Sequence, residues 1–240
     1  MKIALIGYGK MGQLIEKIAI QNDHVIIAKT TSTCFDPKLI QDAEICIDFS
    51  HPDAVLTHVE QIAKMGIPIV MGTTGWHQHI QKIQSLVTHY DIGFLHSPNF
   101  SIGVNLFLQM IKSAAILMDQ FDQYDVGMSE VHHKHKVDSP SGTAQNIANT
   151  LLNKIKRKKG MTINSEHSAN SKDLLHISTL RCGSIPGTHS VIFDSNEDTI
   201  TLTHEARNRE GFARGALVAA EWLKGKKGFF TMDQLLEEII

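Results

Sequence analysis

Cysteine is scarce in this sequence: Cys34, Cys46 and Cys182 are the only three, far apart and with no CxxC pair. That count and spacing argue against a disulfide framework or a zinc knot, and a reducing cytoplasm is the simplest compartment. Long hydrophobic runs are missing too. Nothing approaches the roughly 20 apolar residues of a membrane span, and the apolar start from Met1 meets Gly7 too early for a signal peptide. Charge of one sign is absent: 23 Lys and Arg stand against 25 Asp and Glu, a net of -2, so no basic excess draws nucleic acid. No internal repeat or low-complexity tract is evident. What remains is an ordinary globular composition, 42% hydrophobic over 240 residues, enough for one large domain or two small ones. Histidine is the plentiful residue, at 14. Seven of them (His24, His51, His58, His77, His79, His89, His96) are scattered without metal-ligand spacing, and no metal is expected.

The first informative stretch is the start. Lys2 to Ile6 is a short apolar run, the pattern of a buried parallel strand. It leads into Gly7-Tyr8-Gly9-Lys10-Met11-Gly12 and then into the helical spacing of Leu14, Ile15, Ile18 and Ala19. This is G-x-G-x-x-G in its required context. Gly7 allows the tight turn, Gly9 lets backbone approach a pyrophosphate, and Gly12 lets the helix pack close. A dinucleotide is expected there, with Lys10 adding positive charge. The next strand, Val25 to Ala28, ends at Lys29-Thr30-Thr31-Ser32, where an NAD-selective site would carry an acidic residue. Lysine and hydroxyls there predict tolerance of a 2′-phosphate, with NADPH used at least as well as NADH.

Strands and helices then alternate. Strands are expected at Ala43 to Phe49, Ile67 to Met71 and Ile92 to Leu95, and helices at Pro52 to Met65, capped by Ser50, and Trp76 to Tyr90. That alternation predicts a Rossmann-type, doubly wound parallel sheet, whose ligands bind beyond the carboxyl ends of its strands. Gly72-Thr73-Thr74 and Ser97-Pro98-Asn99-Phe100 sit at such ends and are cofactor-binding candidates. A long helix from Ile102 to Gln120 leaves this domain. Consecutive strands at Tyr124 to Val131, Leu174 to Arg181, Gly187 to Phe193 and Thr199 to Ala206 then predict a second, α+β domain with an antiparallel or mixed sheet. Polar residues from Met161 to Lys172 read as a mobile loop. Helices at Phe212 to Leu223 and Asp233 to Ile240 can return to the first domain. The expected division is 1–104 plus 214–240 for the dinucleotide domain and 105–213 for the second.

The second informative stretch crowds three histidines and two lysines into His132-His133-Lys134-His135-Lys136. A Pro140-Ser141-Gly142-Thr143 turn follows and opens a helix to about Lys156. Cations beside a helix N-terminus suit an anion, and imidazoles move protons near neutral pH. If the strand continues, His132 and Lys134 point one way and His133 and His135 the other, and Lys134 and His135 are expected to be solvated or structural. Arg181, Arg207 and Arg209 could approach this site, with surface ion pairing the expected role of each.

With these residues assembled, the chain resembles the dihydrodipicolinate reductase family of bacterial lysine biosynthesis. The resemblance spans nearly the whole length: Gly7 to Gly12, Asp48-Phe49-Ser50, Gly72 to Gly75, Pro98 to Val104, Glu130 to Ala144, and His204-Glu205-Ala206 with Phe212 to Ala216. Ser139 stands where the family usually has alanine. The resemblance implies that His132 is the catalytic acid/base and Lys136 the proton donor. It implies that His133, Gly142 and Thr143 bind substrate, a small cyclic imine dicarboxylate. Gly7, Tyr8, Gly9, Lys10, Met11, Gly12, Gly72, Thr73, Thr74, Ser97, Pro98, Asn99 and Phe100 would bind NADPH or NADH, with Lys29 the candidate for the adenosine end. It also implies a homotetramer built through the second domain's sheet. The main rival is another two-domain nicotinamide dehydrogenase, which has no reason to carry the His132 to Thr143 constellation. A dinucleotide-sensing module would likewise lack it.

Overall fold

The computed structural model describes residues 1–31, 36–164 and 171–239. In chain order, β1 (Lys2–Ile6) leads into α1 (Lys10–Gln21), which turns Gly12, Ile15, Ile18 and Ala19 inward at helical spacing. Next come β2 (Val25–Thr30), β3 (Ile45–Asp48), α2 (Pro52–Lys64), β4 (Ile69–Met71), α3 (Ile80–His89) and β5 (Gly93–His96). The chain continues through α4 (Ile102–Met118), β6 (Asp125–His132), α5 (Gly142–Lys154), β7 (Gly160–Ile163), β8 (Leu174–Arg181), β9 (Thr188–Asp194) and β10 (Thr199–Glu205). It closes with α6 (Glu210–Leu223), β11 (Gly228–Thr231) and α7 (Met232–Ile239). These fall into two compact units, Met1–Ile102 with Glu210–Ile240, and Gly103–Arg209.

The first unit holds a six-stranded sheet in the order β11-β5-β4-β3-β1-β2, with every described pair parallel. Ala4, Ile6, Cys46 and Met71 send their side chains into one core with Val55, Val59 and Ile62 of α2 and Ile83 and Val87 of α3. Helix α1 packs with α6. The strand order reverses at β1, which has β2 on one side and β3 on the other. That reversal is where a doubly wound sheet opens a crevice at its carboxyl edge. β11, pairing with β5 from Gly228↔Gly93 to Thr231↔His96, was not expected from the sequence.

Helix α2 is capped by His51, whose ring accepts the Asp53 N–H, and not by Ser50. The reason is competition: the Ser50 N–H donates to Asp48 Oδ1, and the Ser50 hydroxyl lies 3.3 Å from the His58 ring.

The second unit holds a five-stranded sheet in the order β10-β9-β6-β8-β7. Pairs β10–β9 and β9–β6 are antiparallel, while β6–β8 and β8–β7 are parallel, so the sheet is mixed. Its inner face, with Val126, Met128, Leu175, Ile177, Val191 and Phe193, packs on Phe107 and Ile111 of α4 and on Ile147 and Leu151 of α5. The loop expected from Met161 to Lys172 is corrected at its start: Gly160–Ile163 is strand β7, paired with Leu174 to Ile177. Its alternating burial marks an edge strand, whose polar neighbours hid it. The rest of that expectation falls largely on 165–170, outside the described residues, as do Ser32 and Cys34.

Candidate active site

In the first unit the glycine turn is tied to its neighbour strand. Gly7 and Tyr8 both donate backbone N–H groups to the Thr30 carbonyl, at 3.1 and 2.9 Å. Gly7 has φ +85, and a Cβ there would lie 2.3 Å from the Phe49 carbonyl oxygen, so only glycine fits. A Cβ on Gly12 would lie 2.6 Å from the Gly7 carbonyl oxygen, which lets α1 start against the turn. Gly9, by contrast, faces open space and is the N-cap of α1, with no side chain capping that end and no acidic residue in its first turn. Unclaimed N–H groups, the helix dipole and exposed Lys10 fit a pyrophosphate; Met11 lies half-buried in the same turn.

Lys29, at the end of β2, does not stand free. Its ammonium is 2.5 Å from Glu16 Oε1 of α1 and 5.0 Å from the centroid of the Tyr8 ring. The Tyr8 hydroxyl donates to the other Glu16 oxygen.

The neighbouring strand ends are knitted by buried Asp48. Its carbonyl accepts the Gly72 and Thr73 N–H groups (2.8 and 3.2 Å), and its Oδ1 accepts the Thr73 hydroxyl at 2.8 Å. Its Oδ2 lies 3.0 Å from Nδ1 of buried His58. Thr73 is therefore committed to shaping this loop, and Thr74 is the exposed hydroxyl beside it. In the next loop, Ser97 Oγ donates to the Asn99 carbonyl, and Asn99 Oδ1 accepts the Ser101 N–H. Phe100 is buried against Phe49, their ring centroids 5.9 Å apart, whereas Pro98 is exposed.

In the second unit, alternation along β6 buries Val126, Met128, Glu130 and His132 on one face. The apolar core thus gives way, within two residues, to a buried carboxylate and an imidazole. Antiparallel register sets Glu130 opposite His189, and parallel register sets His132 opposite Arg181. His132 Nδ1 lies 2.7 Å from Glu130 Oε2 as an ion-pair contact, and among the described residues neither atom has a hydrogen-bond partner besides it. The other carboxylate oxygen accepts from Arg181 (2.8 Å) and from the Ser141 N–H (3.1 Å). Ser141 Oγ in turn accepts the Ala144 N–H as the cap of α5 and lies 3.2 Å from His189 Nε2. Gly187 abuts His132; a side chain there would begin 2.9 Å from Nε2, so glycine keeps a side chain off that edge.

Electrostatics follow from this packing. Burial depresses the His132 pKa, with Lys136 and Arg181 adding to the effect and Glu130 opposing it. Burial and the His132 charge bring His189 down to about 4. Burial would raise Glu130, but its bonds from Arg181 and Ser141 prevail and hold it below the usual carboxylate range. Glu130, His132 and His189 present three possible ligand atoms within 4.8 Å of one another. The guanidinium on Glu130 already balances that charge and disfavours a second cation there.

The strand stops at His132, so the expected alternation does not continue. Residues 133–136 turn instead, with the Lys136 N–H donating to the His133 carbonyl. Lys134 and His135 are exposed, and His133 and Lys136 are half-buried. The Lys136 ammonium is 2.7 Å from Asp138 Oδ1. Lys136 is also the first reason the Asp138 carboxyl sits below its ordinary range. Exposed Gly142 and half-buried Thr143 form the first turn of α5 behind the Ser141 cap. His132, Lys136, His133, Gly142 and Thr143 therefore share one unit and one sheet end. Sequence reasoning gave no role to Glu130, His189 and Gly187, and for Arg181 it favoured a surface pair over an approach to the site, when its partner is the buried Glu130. Glu130 shares its strand parity with His132, a signal available beforehand. His189 and Arg181 gave none, because only strand register brings them in.

A doubly wound sheet with a glycine turn after its first strand, joined to a unit bearing an imidazole, a lysine and a helix start, defines a dinucleotide-dependent oxidoreductase. Residues 1–100 match the N-terminal, and residues 103–236 the C-terminal, family model of dihydrodipicolinate reductase. The chain belongs to the dihydrodipicolinate reductase family. It is 39% identical over 240 residues to the 4-hydroxy-tetrahydrodipicolinate reductase of Christiangramia forsetii, covering 100% of this chain and 99% of the relative. The enzyme of the same name from Ralstonia pickettii is 32% identical over 264 residues, covering 98% and 99%. Among solved structures, a dipicolinate-bound dihydrodipicolinate reductase from Paenisporosarcina sp. TG-14 has the same fold, with TM-score 0.80, 21% identity and coverage of 98% and 99%. A probable dehydrogenase from Thermotoga maritima is more distant, at TM-score 0.59, 8% identity and coverage of 95% and 90%.

Proposed function

We propose that this chain reduces the cyclic imine dicarboxylate derived from 4-hydroxy-tetrahydrodipicolinate to tetrahydrodipicolinate, in the diaminopimelate and lysine pathway, using NADPH or NADH. The observation that carries the reading is the convergence, at one sheet end, of a buried imidazole, a lysine and the start of α5, in a chain alignable over its full length with enzymes of that name.

The nicotinamide, when bound, supplies a hydride to a ring carbon conjugated with the imine. The protein's residues do the rest. The Gly9 to Gly12 turn takes the pyrophosphate, and Thr74 with the Ser97 to Asn99 loop faces the cofactor beyond the strand ends. His133, Lys136 and the N–H groups of Gly142 and Thr143 hold the two substrate carboxylates. Charge gathers on the nitrogen side of the ring, and a neighbouring carbon must gain a proton. The Lys136 ammonium and His132, through Nε2 beside Gly187, stabilise that charge and deliver the proton. Glu130 on Nδ1 leaves Nε2 as the working atom. NADPH serves at least as well as NADH, because Lys29 stands where a 2′-phosphate would be read.

Coupled oxidation of NADPH or NADH with the product of the aldolase that joins pyruvate to aspartate semialdehyde tests the activity; no oxidation refutes it. His132→Gln and Lys136→Ala should each lower kcat by on the order of tenfold to a thousandfold, the scale of losing a positioned proton donor. Normal turnover in either variant removes that residue from the mechanism. The enzyme works in the cytoplasm as a homotetramer joined through the second unit's sheet, whose Leu180, Ile192 and Ile200 are exposed apolar residues. A monomer mass by light scattering would contradict that assembly. No helix of the described residues is long and apolar enough to cross a membrane.

A further inference from the structure

The cation at the end of β2 comes with its own counter-charge. Lys29 Nζ lies 2.5 Å from Glu16 Oε1, and its side chain is 43% exposed while that of Glu16 is only 17% exposed. Both oxygens of Glu16 are engaged, one by Lys29 and one by the Tyr8 hydroxyl. Tyr8 is a member of the glycine turn, and its N–H is bonded to Thr30 of β2, the residue after Lys29. The carboxylate is thus fixed at the junction of the pyrophosphate turn and the strand end that reads the adenosine ribose. The usual acidic residue is missing from the described end of β2, but one arrives from the second turn of α1.

We infer that Glu16 is the residue that sets this enzyme's choice between NADH and NADPH. The inference rests on the reading of Lys29 as a 2′-phosphate contact and adds its counterweight. A carboxylate can accept a hydrogen bond from a ribose 2′-hydroxyl, whereas it repels a phosphate bearing nearly two negative charges. It also engages the ammonium that the phosphate needs, so NADPH must compete with Glu16 for Lys29. With the Lys29 end of the pair 43% exposed, the ammonium is open to water and can be exchanged to another anion. Both cofactors are therefore accepted, with Glu16 limiting the advantage that Lys29 gives to NADPH.

Glu16→Gln keeps the shape and an acceptor for Tyr8 but removes the charge. Dissociation constants should be measured by calorimetry for NADP+ and NAD+, and for the fragments 2′,5′-ADP and 5′-AMP, without turnover. In the Glu16→Gln protein, NADP+ and 2′,5′-ADP should bind tighter by on the order of tenfold, the scale of one charge contact near a protein surface. NAD+ and 5′-AMP should bind equally or more weakly. Lys29→Met should do the reverse, weakening only the 2′-phosphorylated ligands. Unchanged NADP+ and NAD+ affinities in Glu16→Gln, with both nucleotides still bound by wild type, overturn the role of Glu16 alone. Loss of 2′-phosphate discrimination in Glu16→Gln but not in Lys29→Met overturns the pairing. Failure of wild type to bind either nucleotide overturns the cofactor reading itself.

Discussion

His132 is a buried histidine whose two ring nitrogens have different surroundings. Nδ1 sits 2.7 Å from Glu130, and Nε2 lies beside Gly187, which offers no side chain to cover it. A carboxylate on Nδ1 fixes the tautomer and supports the protonated ring, as an orienting partner does in other acid–base pairs. With His132 as the proposed acid, Glu130 is its positioning residue. Its removal has a signature that mere loosening of the fold would not share. Burial, Lys136 and Arg181 all depress the His132 pKa, and Glu130 is the group that raises it. In Glu130→Gln the pKa should therefore fall further, because the opposing influence is gone while the amide keeps an acceptor for Arg181 and Ser141. If His132 donates its proton, activity is lost as pH rises through its pKa, so the alkaline limb of kcat should move to lower pH. kcat itself should drop by on the order of tenfold, within the range for general acid–base catalysis. An unmoved limb in an active Glu130→Gln enzyme would sink the positioning role.

At the scale of elements, α5 brings to the site the backbone N–H groups proposed to hold substrate, and its start depends on one hydroxyl. Ser141 Oγ accepts the Ala144 N–H and also meets His189, while the Ser141 N–H is held by Glu130. Ser141→Ala leaves that backbone bond and removes the cap, which typically costs about 1 kcal/mol. Because Gly142 and Thr143 are the first residues beyond the cap, KM for the dicarboxylate should rise more than kcat falls. A kcat loss with KM unchanged would place Ser141 outside substrate binding. Elements such as α5 were legible in the sequence because local rules decide them: the Ser141 cap, the buried run of β1 and the glycine turn all lie within a few residues. β7 and β11 escaped because they are four-residue strands, one alternating at a sheet edge and one just after Lys226 and Lys227. The His132 to Thr143 half of the site was legible for the same local reason. Glu130, Arg181 and His189 meet only when β8 and β9 flank β6, and no local pattern encodes that register. The partner of Lys29 was missed likewise, since Glu16 lies on α1, in an amphipathic pattern that explained the helix without it.

At the scale of the whole molecule, the second unit carries buried ionisable groups at one end of its sheet, and that makes its stability depend on pH. His189 has an ordinary pKa near 6.5 when unfolded and about 4 when folded, lowered first by burial and then by the His132 charge. A depressed histidine stays neutral in the native chain while the unfolded chain gains a proton. Stability is therefore full above about pH 6.5, is lost as pH falls towards 4, and receives no further change from His189 below that. At about 1.4 kcal/mol per pKa unit, the loss from this residue is on the order of 3 kcal/mol, a sizeable part of a domain's stability. His132 and His204, both lowered chiefly by burial, act in the same direction. Glu130, held below its ordinary 4.5, extends the decline to still lower pH as it takes up a proton. Urea unfolding followed by circular dichroism, which registers both units, should show the wild-type midpoint falling between pH 6.5 and 4. Tryptophan fluorescence would not suffice, because Trp76 and Trp222 both lie in the first unit. His189→Gln keeps an amide to meet Ser141 but cannot titrate. It should be less stable than wild type at neutral pH if packing suffers, yet its stability should fall less steeply on acidification. Equal slopes in the two proteins would mean that His189 does not carry the acid sensitivity of this fold.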